Sequence, residues 1–246
     1  MCYSAMIAAK ARAISATQGM GYDEALQMLI WEHQHRWTGL GGRPSAPILQ
    51  DDGKIALARW TFLAPWIKDD VAAAKQSFST GNAVAEEMFE KRTFKEAARS
   101  RRGLIVLDAY YEHQHRGRVT VPYRFFRSSG ESFLVGVVWT NSFDGPSFAI
   151  CTMPPTKLAA YIHNNPDAPN GPRQPVIFRT FDEALTWRAG GGPETIEHIL
   201  LVREDGFLVA QETRNIHGNW PKKAPAPPPG APEGVLPPEK DEYSLF

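Results

Sequence analysis

The spacing of apolar positions changes period along this chain. Leu26, Leu29, Ile30 and His33 recur at helical spacing behind Asp23, an effective N-cap, and predict a helix. The Ala-rich stretch Ala5 to Ile14 predicts another, ahead of the break at Gly19 and Gly21. Turn residues crowd positions 40–54, after which Lys54 to Phe62 alternates as a strand and is closed by Pro65-Trp66. Thr93-Phe94-Lys95-Glu96 has the form of a capping box and predicts a short basic helix through Arg102. The apolar run from Gly103 to Tyr111 predicts a buried strand.

Three β-like segments follow, Val119–Phe126, Ser132–Trp139 and Ser147–Met153, divided by Ser-Gly and Asp-Gly turns in the manner of an antiparallel meander. Pro154-Pro155 suits the first turn of a helix running to His163, and the loop Asn164–Pro172 leads into a strand over Gln174–Phe178. Thr180-Phe181-Asp182-Glu183 is a second capping box, opening a helix that ends at Gly190-Gly191-Gly192. From Pro221 the chain is rich in Pro, Lys and Glu, with scarcely any large apolar side chain to offset ordering entropy. The expected architecture is a single α+β domain over residues 1–220, with a mainly antiparallel β-sheet core, open or partly closed, and peripheral helices. Residues 221–246 are expected to form a Pro-rich disordered tail, for which a polyproline II ligand is the alternative.

Charge narrows the partners. The 27 basic and 27 acidic side chains cancel, so no global field attracts polyanions and any nucleic-acid contact must be local. The two cysteines, Cys2 and Cys151, are no disulfide framework and imply a reduced, intracellular protein. Lys10 and Arg12 interrupt the short apolar run at the N-terminus, which is unlike a secretory signal, and no window approaches the roughly 18 apolar residues that span a bilayer. A soluble cytoplasmic monomer is therefore expected, nucleoid-associated or nuclear according to the host, with no membrane contact.

Met1-Cys2 carries unusual chemistry. Once Met1 is removed, Cys2 presents an α-amine and a thiol two bonds apart, which can close a five-membered thiazolidine on an aldehyde. The amine titrates at about 7.7–8.0 and the thiol at about 8.5, so part of the amine is nucleophilic at neutral pH. The pentapeptide Glu32-His33-Gln34-His35-Arg36 recurs as Glu112-His113-Gln114-His115-Arg116. Its two HxH pairs lack Cys or His partners at finger-like spacing, so neither a metal nor another cofactor is expected.

Four blocks stand in a diagnostic order: Met1-Cys2; Gly81-Asn82-Ala83-Val84-Ala85-Glu86; Asp108-Ala109-Tyr110-Tyr111-Glu112; and His163 followed by Arg173-Gln174-Pro175-Val176-Ile177-Phe178. This order resembles the SOS-response-associated peptidase (SRAP) family, with its Met-Cys start and its Asn-Ala-Arg-Ala-Glu, Asp-Gly-Phe-Tyr-Glu-Trp and His-then-Arg-Met-Pro blocks. Arg59-Trp60 through Pro65-Trp66 is similar to the family's Trp-Gly-Leu-Ile-Pro-Ser-Trp segment. The likeness runs from residue 1 to about residue 220.

The resemblance implies a DNA damage response protein. It would remove its own Met1 as a thiol autopeptidase and then join Cys2 to the aldehyde of an abasic site in single-stranded DNA, shielding the lesion from strand cleavage. Carried over by position, Cys2 is the nucleophile, Asn82 orients its amine, Glu112 shuttles protons and His163 assists at the sugar oxygen. Trp60, Trp66, Arg59 and Arg173 would bind DNA. These roles suit the residue types. A buried carboxyl can take a proton from an amine and return it to a departing hydroxyl, and an imidazole titrating near pH 6.5 can donate to the opening ribose. Taken alone, Glu112 also fits a solvated strand end, His163 a helix C-terminus, and Asn82 beside Gly81 a turn.

Departures from the family pattern fall on the expected DNA footprint. Ser4 and Val84 replace arginines, His113 replaces the Trp, Ala109 the Gly and Gln174 the Met, while residues 9–37 and 164–172 look like insertions. The basic run Lys91, Arg92, Lys95, Arg99, Arg101 and Arg102 could compensate, or form a solvated helix face. Two other classes remain open: an N-terminal-nucleophile cysteine amidohydrolase, and a non-catalytic single-stranded-DNA binder with a decayed site.

Overall fold

The computed structural model describes residues 45–69, 71–73, 80–214 and 224–238, together with the backbone of 4–6 and 37–38. Cys2, the Asp23 helix and the first HxH pair lie outside the described residues, as does most of the expected helix from Ala5 to Ile14. Its first two positions are extended instead, in β1 (Ser4–Met6), which pairs with β2 (Trp37–Thr38). Next come β3 (Ser45–Leu49), β4 (Ile55–Trp60), β5 (Asn82–Val84), α1 (Lys95–Ser100), β6 (Arg102–Leu107) and β7 (Ala109–Arg116). The chain continues through β8 (Val119–Phe126), β9 (Phe133–Ser142), β10 (Gly145–Met153), α2 (Lys157–Ile162), β11 (Gln174–Pro175) and α3 (Phe181–Arg188). A short 3-10 turn, Pro193–Thr195, precedes β12 (Val209–Glu212) and β13 (Val235–Leu236). No described helix is long and apolar enough to cross a membrane.

The strands form two mainly antiparallel sheets, in agreement with the α+β expectation. One sheet runs β13-β12-β8-β7-β1-β2 and the other β11-β10-β4-β3-β6-β9. The second closes on itself, because β10 bonds both β4 and β9, while β9, β6, β3 and β4 pair in succession. β6, β9 and β10 of this closed sheet are buried on both faces, which is why they read as nearly continuous apolar runs, whereas β3 and β4 alternate. Along β10, Phe148 and Ile150 enter one core with Ile105, Tyr110 and Phe125, between the sheets. Ala149, Cys151 and Met153 enter a second core with α1 and α3. Period-two geometry divides a single apolar string between two cores.

Several boundaries depart from the sequence pattern. The run Gly103 to Tyr111 is two strands in different sheets, broken at Asp108, whose Oδ1 accepts a hydrogen bond from Ser132 Oγ at 2.5 Å. The three β-like segments are no meander either: β8 pairs with β7 and β12, whereas β9 and β10 belong to the closed sheet. Thr93 does not cap α1; the helix begins after Phe94, which is buried edge-on against Phe62, and it ends before Arg102 enters β6. Thr180 does cap α3, accepting from the Glu183 N–H.

The Pro-rich segment is not wholly without structure. β13 pairs in parallel with β12, and the carbonyls of Pro225, Pro228 and Pro237 accept hydrogen bonds from Arg116, Tyr161 and Gln211. Side-chain donors on the folded body thus supply the partners that a proline-rich chain cannot find within itself.

Gly136 on β9 is required by a close approach. A Cβ there would lie 2.9 Å from the indole of Trp187, which is buried on α3 and donates through Nε1 to the Gly103 carbonyl at 3.1 Å. Gly136→Ala is therefore expected to cost about 1–3 kcal/mol, read as a fall in the midpoint of chemical unfolding.

Candidate active site

On β7, Tyr110, Glu112, Gln114 and Arg116 share one face, and His113 and His115 point to the other. Tyr110 stacks on Phe125 of β8 with ring centroids 4.5 Å apart, which makes the floor beside Glu112 apolar. Glu112 is only 4% exposed, and burial pushes its pKa up to about 8. At neutral pH its carboxyl is mostly protonated and can donate as well as accept.

His163 sits at the C-cap of α2, buried, and desolvation pulls its pKa down to about 4, so the imidazole is neutral at pH 7. Three hydrogen bonds bind this end of α2 to β7 just beyond Glu112. Gln114 Nε2 donates to the Tyr161 carbonyl at 3.1 Å, Asn164 Oδ1 accepts from the His115 N–H at 2.6 Å, and Asn164 Nδ2 donates to the His115 carbonyl at 3.0 Å. Asn164 thereby pairs with a strand backbone as another strand would. The structure brings the elements carrying Glu112 and His163 together.

Asn82 opens β5, paired in parallel with Ile150 of β10. Glu86, four residues on, grips Arg173 through two contacts of 2.9 and 2.5 Å, and Arg173 Nη2 also donates to the Thr152 carbonyl at 2.7 Å. The Arg173 backbone N–H donates to His163 Nδ1 at 3.1 Å. A continuous set of bonds therefore runs from the segment after Asn82 to His163. Gln174, standing where the family pattern has Met, accepts from the Thr156 N–H at the start of α2 at 3.1 Å and so holds the other end of that helix.

The expected DNA contacts fare unevenly. Trp60 is 2% exposed, donates to the Gly81 carbonyl at 2.8 Å and packs on Phe148, so it is a core residue and cannot stack on a base. Arg173 is buried with both terminal nitrogens on protein acceptors, an arrangement that leaves no fork for a phosphate. Arg59 pairs with Asp144. Trp66 is 44% exposed with the Arg92 guanidinium 4.7 Å above its ring. Nor does the basic run form one face: Arg102 is fully buried against Trp187, Lys91 pairs with Glu87 and Arg101 with Glu96.

Glu86, Gln114 and Asn164 were not among the site residues expected from sequence. Glu86 lies within the Asn82 block and Gln114 within the repeated pentapeptide, whereas Asn164 acts through backbone partners and carries no motif signal. Among the described residues no cluster of three or more His, Cys, Asp or Glu could hold a metal ion, and the second HxH pair alternates with Glu112 and Gln114 along one strand.

Comparison with known proteins bears on this geometry. Abasic site processing protein YoqW of Bacillus subtilis (strain 168) is 29% identical over 151 residues, which are 57% of this chain and 62% of YoqW, so the chain spans under two thirds of that relative. YoaM of the same organism, also named an abasic site processing protein, is 26% identical over 70% of this chain and 76% of its own. A crystal structure from Bacteroides thetaiotaomicron superposes with a TM-score of 0.75 at 23% identity, over 87% of this chain and 93% of that one. One from Bordetella bronchiseptica gives 0.69 at 20%, over 87% and 100%. Both share the fold. The profile of the family described as SOS response associated peptidase (SRAP) matches residues 1–206, a span that includes both sheets' central strands and all four sequence blocks, and the chain belongs to that family.

Proposed function

We propose that this protein processes abasic sites in single-stranded DNA by forming a thiazolidine cross-link through Cys2, after hydrolysing its own Met1–Cys2 bond. The observation that carries the reading is the register of β1 on β7. Ser4 pairs with Tyr111 in antiparallel sense, which sets the start of β1 opposite the residue next to Glu112 on β7. Cys2 is two residues upstream, a reach of at most about 7 Å. The names of YoqW and YoaM as abasic site processing proteins support the substrate class.

The reaction balances with the loss of one water. The Cys2 amine adds to the aldehyde carbon of the ring-opened sugar, and Glu112 returns a proton to the hydroxyl that departs as water, leaving an imine. The Cys2 thiol then adds across the C=N bond and closes the ring, its proton passing to nitrogen. His163, neutral at pH 7, offers a hydrogen bond to the ribose oxygen as the sugar opens, and the proton which that oxygen gains is the one lost by the anomeric hydroxyl. Asn82 orients the amine without titrating.

Incubation with single-stranded DNA bearing one abasic site, followed by denaturing electrophoresis and intact mass, tests the reading. A heat-stable adduct is expected on protein lacking Met1; no adduct, or an equal one on DNA without the lesion, overturns it. Trp66 is the proposed stacking surface, with Arg92 alongside. Trp66→Ala is expected to weaken binding to unmodified single strands by about 1–3 kcal/mol in a fluorescence titration, the contribution of one stacked base.

A further inference from the structure

We propose that the Glu86–Arg173 ion pair is a positioning device that holds His163 as the Nε2–H tautomer, and that Arg173 acts through the protein rather than by binding DNA phosphate. The inference rests on the cross-linking reaction proposed above for its kinetic arm, but its spectroscopic arm does not.

His163 and Arg173 are separated by a loop, Asn164–Pro172, with three prolines at 166, 169 and 172 and a glycine at 171. Nothing in the sequence of such a loop fixes the peptide at 173 against the imidazole. The Arg173 side chain does so. Its two terminal nitrogens hold both oxygens of Glu86, and Nη2 adds the Thr152 carbonyl of β10, so the residue is pinned to the β5–β10 edge at three acceptors. A planar five-donor fork suits this task; a lysine has no second arm.

With the side chain pinned, the Arg173 N–H is presented to His163 Nδ1 at 3.1 Å. A buried peptide N–H must find an acceptor, so Nδ1 keeps its lone pair. The Arg173 carbonyl also lies 3.2 Å from Nδ1, yet a proton placed on Nδ1 to reach it would collide with the N–H. The neutral ring therefore carries its hydrogen on Nε2, the nitrogen away from the loop. Fixing a tautomer through the other ring nitrogen is a general means of setting which proton a histidine can give.

The test uses the full chain and two variants, Glu86→Gln and Arg173→Gln. Glu86 is about one third exposed at its side chain, and glutamine keeps its volume and one carbonyl oxygen for Arg173. Without DNA, long-range 15N–1H correlation of the His163 ring is expected to show the Nε2–H pattern in the wild type and a mixture of tautomers in both variants. Cross-linking to abasic single strands is expected to slow 10- to 100-fold in each, the usual effect of losing such support, and no further in the double variant. Affinity for unmodified single strands and its salt slope stay unchanged.

A wild-type Nδ1–H pattern overturns the proposal. So does a phosphate-type result, in which Arg173→Gln lowers the salt slope by about one while Glu86→Gln leaves the rate intact. If the wild type forms no adduct, the functional reading fails and the ring spectra still decide the clamp.

Discussion

Cys2→Ala and Cys2→Ser are each expected to abolish the heat-stable adduct and, with a free N-terminus, to retain an imine that borohydride can trap. Loss of the one with persistence of the other isolates the thiol from the amine. Either variant with a free N-terminus keeps an α-amine titrating at about 7.7–8.0, which is enough to attack an aldehyde. An imine exchanges with water, however, and only intramolecular attack by a second nucleophile traps it as a ring. Sulfur does this far better than a serine hydroxyl, because a thiol titrating near 8.5 supplies a few per cent of thiolate at pH 7 and a hydroxyl supplies almost none. In the proposed reaction removal of Met1 draws on the same group, so intact mass is measured first. Should Met1 remain on the variants, the Cys2-first sequence is produced by cleavage of an N-terminal fusion, and the adduct assay is repeated. Undiminished heat-stable adduct from Cys2→Ala with a free N-terminus would falsify the mechanism.

The α+β class was legible in the sequence, and much of the arrangement around the proposed site was not. The four blocks are legible because they set particular residue types in a fixed order, and β7 and α2, which carry Glu112 and His163, are packed neighbours. Burial was the missing quantity. Trp60 reads as a stacking residue in a string of letters, but β4 lies inside a closed sheet and buries it. Arg173 reads as a phosphate ligand until Glu86, 87 positions away, takes its fork. The corner at Asp108 was invisible for a related reason. Apolar residues continue across it because the strands on both sides are buried, so the pattern does not register the change of sheet. In the Pro-rich segment composition favoured disorder, yet residues 224–238 find donors on Arg116, Tyr161 and Gln211 that no local pattern announces.

Glu112→Gln is the second large effect, about 10²- to 10⁴-fold in cross-linking rate, the range that a positioned acid-base group contributes. Its pH dependence distinguishes proton transfer from mere shape. In the wild type the rate is expected to rise toward pH 8 as the Cys2 amine loses its proton, and to fall above about pH 8 as Glu112 ionises and can no longer protonate the departing hydroxyl. Glutamine preserves the volume and never ionises, so the variant is expected to keep the rising limb and lose the falling one. Stability moves in the opposite sense to activity. The carboxyl titrates near 4.5 when unfolded and near 8 when buried. Its folded pKa is raised, so the favourable contribution is full below about pH 4.5 and is lost as pH rises through about 8. Between those limits the unfolded chain releases the proton and the folded one retains it. Thermal denaturation of the wild type should therefore shift downward from pH 5 to pH 8, and the Glu112→Gln variant should show a smaller shift. Equal pH dependence of both melting and rate in the two proteins would remove Glu112 from the chemistry.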